Sequence, residues 1–202
     1  YAAPKFRKRA KPVLELLAGI PTVVYGYFAV ITVAPFLHKL GAAIGLNIAS
    51  ESALVAGLVM GIMIIPFVSS LSDDAISAVP ASLRDASFGL GATRAETITQ
   101  VLIPAALPGI IAGFLLAVSR AVGETMIVLM ATGNTPIMDM SLFNGMRTLS
   151  ANVAVEMGEA EVGSTHFRIL FLSALVLFVM TFILNTAAEV VRARLRKKYG
   201  SL

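Results

Sequence analysis

Residues 101–130 read VLIPAALPGIIAGFLLAVSRAVGETMIVLM, and the only charged side chains among them are Arg120 and Glu124. The hydrocarbon core of a bilayer, about 30 Å thick, is crossed by a helix of roughly 20 apolar residues. Three more stretches have this length and character, namely 13–37, 52–70 and 169–188. Because open strands cannot satisfy their backbone groups in lipid, all four stretches are predicted to be membrane-spanning helices.

The composition supports a membrane protein and excludes several other classes. Of the 202 residues, 57% are hydrophobic and 14% are charged, whereas about 25% of the residues of ordinary soluble domains are charged. The absence of cysteine excludes disulfides, thiolate zinc sites and thiol nucleophiles. Two histidines are too few for a histidine-rich metal centre, and no glycine-rich phosphate-binding loop occurs. We therefore expect an all-α membrane protein that needs no cofactor and is not itself an enzyme.

Basic residues concentrate at the two ends of the chain. Five of the 16 Lys and Arg residues lie in 1–12 and five in 192–202. These clusters flank apolar blocks, as membrane anchors do, so nucleic acid is not an expected partner. Four spans would place both ends and residues 73–100 on one side, which the positive-inside rule assigns to the cytoplasm. The sequence thus predicts a multi-pass protein of the cytoplasmic (inner) membrane, with 73–100 inside and 131–168 outside.

The predicted cytoplasmic segment is longer than a connection between two spans needs, and its residues are patterned. Pro80 suits the first turn of a helix, and Gly91 lies where a left-handed C-terminal cap is expected. Thr93 and Glu96 form a capping-box sequence, in which the Thr side chain caps a new helix and the Glu side chain reaches back. The sequence therefore predicts a helix, a glycine turn and a second helix.

The same segment resembles the EAA motif of ABC importer permeases. That motif reads Glu-Ala-Ala, three residues, Gly, nine residues and Ile-x-Leu-Pro. Here Asp85-Ala86-Ser87 is followed at the same spacing by Gly91 and by Val101-Leu102-Ile103-Pro104. The resemblance implies a coupling helix that docks into an ATPase subunit and transmits its motion. The alternative is an interfacial amphipathic helix that rests on lipid.

A second resemblance covers essentially the whole chain. Residues 18–26, AGIPTVVYG, and 120–126, RAVGETM, look like segments of the phosphate-specific ABC importer permeases. Within that family, Gly-Glu-Thr-Met looks closer to the PstC-type subunit than to its PstA-type partner. The resemblance implies one permease domain over 1–202, with the fold of a type I ABC importer transmembrane domain. It also implies that further spans precede Tyr1, so an N-terminally truncated chain is expected.

The phosphate-importer resemblance also implies a function and a set of partners. The chain would be the permease subunit that moves inorganic phosphate across the membrane, while two partner ABC ATPase subunits would hydrolyse ATP. A second homologous permease subunit and an extracytoplasmic phosphate-binding protein are the other implied partners. A permease for sulfate, molybdate or another oxyanion is an alternative, because nothing derived from the residues distinguishes these anions. A membrane signalling or scaffold module is an alternative of another class.

Arg120 and Glu124 need an explanation, since a charge such as Arg or Asp at the centre of a membrane helix costs about 2.5–3.5 kcal/mol on insertion scales. In a continuous helix the two side chains lie one turn apart and share a stripe with Gly109 and Gly113, where another helix can approach closely. We expect Arg120 to bind a passing oxyanion and Glu124 to hold and neutralise Arg120 between passages. Thr125 would add a hydroxyl to this translocation pathway.

Two other interpretations of the charged pair stay open at this point. Arg120 and Glu124 could form a buried ion pair that fixes helix packing, although such pairs add little net stability. A break in the helix at Gly123 would change the direction of Glu124 and remove it from the stripe. The sequence does not choose between a continuous and a broken helix.

Within the external segment, apolar residues recur at helical spacing: Met146, Leu149, Val153 and Met157. This spacing predicts a short helix that lies on the outer surface or dips into it. In permeases of the family named above, external segments receive a substrate-loaded binding protein, and the resemblance implies that role here. The alternative is a surface helix packed over the bundle.

Overall fold

The computed structural model describes residues 12–14 and 16–199, so the N-terminal basic cluster and Glu15 lie outside the described residues. In the described part, every regular element is helical, and four helices are long and apolar enough to cross a membrane. We call them the first to fourth spans: Thr22–Ala43, Ala53–Ser77, Arg94–Val122 and Thr165–Arg194. The predicted all-α fold with four spans is confirmed.

The first span contains a π-helical turn between two α-helical parts. Its three parts are Thr22–Phe28, Ala29–Val33 and Ala34–Ala43. Pro21 is the N-cap, and residues 16–18 form a separate helical turn before it. Since proline lacks a backbone N–H and restricts the residue before it, a helix tends to begin or end at this point. Pro21 therefore separates this helical turn from the first span.

The predicted cytoplasmic segment is built as its sequence indicates. After the second span, which has Pro66 inside it, a nine-residue helix occupies Ala81–Gly89, and we call it the loop helix. The third span follows a short turn. Its three parts are Arg94–Glu96, the π-helical residues Thr97–Leu102, and Ile103–Val122. The predicted order of helix, glycine turn and second helix is thus present.

The third span ends at Val122, before the end of the apolar stretch 101–130 from which it is predicted. The helix stops at Val122, Gly123 lies in a turn, and a separate short helix occupies Met126–Ala131. Of the two paths that the sequence leaves open, the structure therefore has the one with a break at Gly123. Apolar composition alone does not reveal such a break, because a broken helix and a continuous helix expose equally apolar side chains to lipid.

Two further helices follow the short helix. The outer helix, Leu149–Glu156, is the middle part of the helix predicted from the spacing of Met146 to Met157. The last helix, Thr165–Tyr199, contains the fourth span and extends beyond it. The connection between the short helix and the fourth span, which we call the external connection after the side predicted for it, has one regular element among the described residues. The rest is turns and extended chain.

The chain divides into two compact units with separate apolar cores. One unit contains residues 16–64 and 121–181, and its core joins the first and second spans to the short helix. The buried side chains of this core include Tyr25, Leu37, Val55, Val59 and Ile127. Among the described residues, the other unit contains 65–120 and 182–199 together with 12–14. Its core is smaller and consists of Val79, Leu102 and Ala106, against which Leu83 and Ile98 pack.

Candidate functional site

The turn after the loop helix has the geometry that its glycine predicts. Gly91 has φ +82°, a left-handed conformation that L side chains rarely adopt. The N–H of Leu90 donates to the carbonyl of Ala86 at 3.0 Å, and the N–H of Ala92 donates to the carbonyl of Ser87 at 3.2 Å. The last carbonyls of the helix are therefore satisfied while the chain reverses direction.

The second helix begins with the capping box that its sequence predicts. The backbone N–H of Glu96 donates to the side-chain oxygen of Thr93 at 3.3 Å. In return, the carboxylate of Glu96 accepts hydrogen bonds from the Thr93 N–H at 2.8 Å and from the Thr93 hydroxyl at 2.7 Å. Such reciprocal bonds satisfy N–H groups that a helix start otherwise leaves without a partner.

The residues of the EAA-like motif differ in exposure. Asp85 and Ala86 are exposed on the loop helix, whereas the Ser87 side chain is buried. Leu90, the C-cap of the helix, is 90% exposed, so an apolar side chain lies on the surface four residues after Ala86. Pro104 lies farther along, in the third span, and is partly buried. The loop helix thus presents an acidic and apolar outer surface, whereas Ser87 faces the protein.

Phe88 is a surface residue that the motif does not single out. Its side chain is 44% exposed and lies between Ser87 and Gly89 on the loop helix. Helical spacing predicts an apolar stripe through Leu83 and Leu90, and Phe88 lies off that stripe. The sequence signal for Phe88 is an aromatic residue directly after the Asp85-Ala86-Ser87 motif, since aromatic residues are enriched in protein interfaces.

Gly109 and Gly113 lie where the second and third spans come closest. A Cβ atom added at Gly109 would be 2.6 Å from the Cβ of Ala75, and one added at Gly113 would be 3.0 Å from the Cβ of Leu71. Larger side chains at these two positions would force the helices apart. A cavity of about 630 Å³, lined mostly by small and apolar side chains, lies beside this contact.

Arg120 lies in the last turn of the third span and is exposed. Its guanidinium carbon is 5.7 Å from the centroid of the Phe67 ring in the second span, within the range of a cation–π interaction. Stacking on one face of a guanidinium leaves its in-plane N–H donors available for a planar or tetrahedral anion. Phe67 could not be predicted as the partner of Arg120, because a contact between two helices depends on how they pack.

Glu124 has a role that differs from the one its spacing predicts. Its side chain is 8% exposed, and one carboxylate oxygen, Oε1, accepts the backbone N–H groups of Thr125 and Met126 at 3.1 Å each and of Ile127 at 3.4 Å. Glu124 therefore caps the short helix. The third span ends at Val122, so Glu124 does not continue the helix that carries Arg120.

Thr125 and the backbone of Glu124 are held by neighbouring groups. The Thr125 hydroxyl donates to the carbonyl of Gly123 at 3.2 Å, a local bond of the kind that threonine often makes. From the outer helix, the hydroxyl of the buried Ser150 donates to the backbone carbonyl of Glu124 at 2.9 Å. The turn between Val122 and Met126 is thus fixed by hydrogen bonds at both its side chains and its main chain.

The external connection is fastened by one arginine. Arg147 donates to the backbone carbonyl of Asn134 at 3.1 Å, to the side chain of Asn152 at 3.1 Å and to the carboxylate of Glu156 at 2.6 Å. The second carboxylate oxygen of Glu156 lies 3.0 Å from Nε2 of His166, at the start of the fourth span. The outer helix is therefore attached at both of its ends.

Comparison with known proteins identifies relatives over most of the chain. A probable ABC transporter permease protein, YqgH of Bacillus subtilis (strain 168), is 39% identical over 182 residues, which cover 90% of this chain and 58% of that protein. The phosphate transport system permease protein PstC of Mesorhizobium japonicum is 34% identical and covers 93% of this chain and 62% of that protein. PstC 1 of Mycobacterium tuberculosis (strain ATCC 25618 / H37Rv) is 33% identical, with 88% and 58% covered. The chain thus spans about three-fifths of the length of these relatives.

A solved structure has a similar fold. It is a chain of the MetNI methionine ABC transporter, determined in inward-facing conformations, with 18% sequence identity and a TM-score of 0.68. The match covers 96% of this chain and 77% of that chain. The fold is therefore that of a type I ABC importer transmembrane component, as the EAA-like motif implies.

The family described as "Binding-protein-dependent transport system inner membrane component" matches residues 1–199. The relatives, the fold and the four spans agree with this match. The predicted localisation as a multi-pass inner membrane protein is likewise confirmed. The chain belongs to the family of binding-protein-dependent transport system inner membrane components.

Proposed function

We propose that this chain forms the membrane pathway of an ATP-driven importer of inorganic phosphate, as a PstC-type permease subunit. The observation that carries the proposal is the set of relatives named phosphate transport system permease protein PstC, which are 30–34% identical over 88–98% of this chain. The proposal treats residues 1–202 as part of one permease domain. Because the chain spans about three-fifths of those relatives, its activity is a property of the complete subunit.

The energy for transport would come from partner subunits. In this proposal, two ABC ATPase subunits hydrolyse ATP, and one of them docks on the exposed surface of the loop helix. That surface is formed by Asp85, Ala86, Phe88 and Leu90. Leu90 is 90% exposed, and burial of such an apolar side chain against a partner lowers the free energy of the complex. Asp85 would add charge complementarity at the edge of the contact. Gly91 and Pro104 would set the shape of the segment that transmits the movement.

The anion would be recognised at Arg120. Its guanidinium is held against Phe67 and keeps N–H donors for two oxygens of a tetrahedral anion. Glu124 and Thr125 would shape the turn that follows in the chain, since their hydrogen bonds fix its backbone. A second homologous permease subunit would complete the pathway, and an extracytoplasmic phosphate-binding protein would deliver the anion to the external side.

The test is ATP-driven uptake by the complete transporter, reconstituted in proteoliposomes and offered phosphate, sulfate or molybdate. We expect phosphate uptake that requires ATP. Replacing Arg120 by Leu should lower the rate by about tenfold or more, because one charge-assisted contact to the anion is lost. Arg120→Lys should retain part of the rate, since the charge remains and the two-pronged geometry does not.

Arg168→Leu is the matched control, because Arg168 is an exposed arginine at the start of the last helix. This variant should transport phosphate at the rate of the unchanged protein. Uptake of sulfate or molybdate instead of phosphate would assign the chain to another oxyanion. A protein that neither binds an ATPase subunit nor supports uptake would be a scaffold module, and the proposal would be wrong.

A further inference from the structure

Two buried hydroxyl groups face each other across the glycine turn. Oγ of Ser87, on the loop helix, lies 2.9 Å from Oγ1 of Thr97, in the third span. Ser87 is 8% exposed and Thr97 is 1% exposed. Because water does not reach these two groups easily, breaking the hydrogen bond would leave buried hydroxyls without a partner, which costs free energy. It therefore joins the two helices at a defined point.

The hydrogen bond between the two hydroxyls continues to the backbone at the start of the third span. Either hydroxyl oxygen can be the donor of this bond, and Oγ1 of Thr97 also lies 3.0 Å from the backbone carbonyl of Thr93. The bonds form a chain that runs from the loop helix through the Thr97 side chain into the first turn of the third span. That turn is itself held by the capping box of Thr93 and Glu96.

The turn that these residues bridge is exposed at its tip. No heavy atom beyond the chain neighbours lies within 4 Å of a Cβ added at Gly91, and Leu90 is 90% exposed. Backbone hydrogen bonds within the turn run from the Gly91 N–H to the Phe88 carbonyl at 3.0 Å and from the Ala92 N–H to the Ser87 carbonyl at 3.2 Å, and Leu83 makes apolar contacts. The Ser87 side chain is thus the polar attachment that reaches past the turn itself.

We propose that the hydrogen bond between Ser87 and Thr97 acts as a lock that makes the loop helix and the third span move as one body. This inference rests on the proposed function, because a lock matters only if a partner moves the loop helix. If the two helices can bend at Gly91, part of the partner's movement is absorbed in the turn and does not reach the third span. Ser87 and Thr97 are therefore positioning residues, and they set how much transport each ATP produces.

The chain offers a matched set of variants for this lock. Ser87→Ala removes one of the two hydroxyls, Thr97→Val removes the other with little change of shape, and Thr97→Ser keeps it. Thr99→Val is the control, because the exposed Thr99 lies in the same π-helical turn and its hydroxyl donates only to its own helix, at 2.9 Å to the Ala95 carbonyl and 3.5 Å to the Glu96 carbonyl.

The first measurement is amide hydrogen exchange of peptides from residues 87–97 in the complete transporter. In the regime in which closing is faster than exchange, the rate is proportional to the population of the open turn. Loss of one buried hydrogen bond should raise the exchange rate about fivefold in Ser87→Ala and Thr97→Val. Thr97→Ser and Thr99→Val should stay at the rate of the unchanged protein. The double variant should exchange about as fast as Thr97→Val alone, because both changes break the same bond.

The second measurement is the amount of phosphate taken up per ATP hydrolysed, which a loss of folded protein alone does not change. This ratio should fall severalfold in Ser87→Ala and Thr97→Val, and Thr97→Ser should restore it. Faster exchange with an unchanged ratio would overturn the lock as a coupling device while leaving the proposed function intact. Unchanged exchange would overturn the lock itself. If the unchanged transporter takes up no phosphate with ATP, the proposed function fails and the coupling role fails with it.

Discussion

The segment before the third span and the external connection after it are both long, but different interactions hold them. In the first, the bonds that define the structure join residues close in sequence, such as Thr93 and Glu96, three positions apart. In the second, they join residues far apart, such as Ser150 and Glu124, 26 positions apart. One segment is shaped by its own sequence, and the other is shaped by the unit around it.

The external connection also satisfies the start of the second span. The first N–H groups of a helix have no partner within the helix. Here the N–H of Ala53 donates to the carbonyl of Asn144 at 3.0 Å, and that of Leu54 donates to the carbonyl of Leu142 at 2.8 Å. A non-helical segment thus caps the start of a membrane helix. Its carbonyl groups and the first N–H groups of the helix satisfy one another, and under this condition irregular backbone is tolerated near a membrane span. Changes in this connection should therefore destabilise its whole unit, whereas changes near Gly91 should act locally.

The largest effect that we predict is at the turn of the cytoplasmic segment. Gly91→Val should reduce ATP-driven uptake by about tenfold or more, because a β-branched residue is strained at φ +82°. The space around Gly91 is open, so the effect comes from the backbone and not from a clash. Gly89→Val is the control, since Gly89 is also open but belongs to the helix. Equal losses in both variants would show that side-chain bulk on the surface is the cause.

The next effect tests the external connection. Thr132 is fully buried, and its hydroxyl lies 2.8 Å from the carbonyl of Val128 and 2.7 Å from that of Met146. Thr132→Val should lower the free energy of unfolding by about 1–2 kcal/mol, because the hydrogen bonding of a fully buried hydroxyl to the Met146 and Val128 carbonyls is lost. The check is the melting temperature of the purified transporter in detergent.

Thr181→Val is the matched control for Thr132→Val. The Thr181 hydroxyl donates only within its own helix, to the carbonyls of Leu177 and Phe178 at 3.0 Å each. Its replacement should leave the melting temperature nearly unchanged. If Thr132→Val melts like the unchanged protein, the external connection is not needed for the stability of its unit, and the contrast drawn above is wrong.

The smallest effect returns to the cytoplasmic segment. Thr93→Ala removes the N-cap of the third span and should destabilise that helix end by about 1 kcal/mol. Because the cap is exposed and local, amide exchange in residues 93–97 should accelerate while the melting temperature stays the same. Thr93→Ser keeps the capping oxygen and should match the unchanged protein. A lower melting temperature in Thr93→Ala would mean that the segment is as strongly tied to its unit as the external connection is.

The same contrast explains what could be predicted from the sequence. The spans follow from apolar length, and the loop helix, the Gly91 turn and the capping box follow from residues a few positions apart. The cap at Glu124 was missed because a glutamate after Gly123 fits both a helix interior and a helix start. The stacking of Arg120 on Phe67 was missed because it depends on how two helices pack, and that information is spread over many residues.

The fourth span has a consequence of a different kind. Only 6% of its most apolar stretch of 18 residues is buried within this chain. Phe171, Leu172 and Leu175 are all more than half exposed. Where these side chains face lipid tails, which are as apolar as leucine, one apolar residue can replace another at little cost. The constraint that stays on such positions is length, because the apolar stretch has to match the thickness of the bilayer.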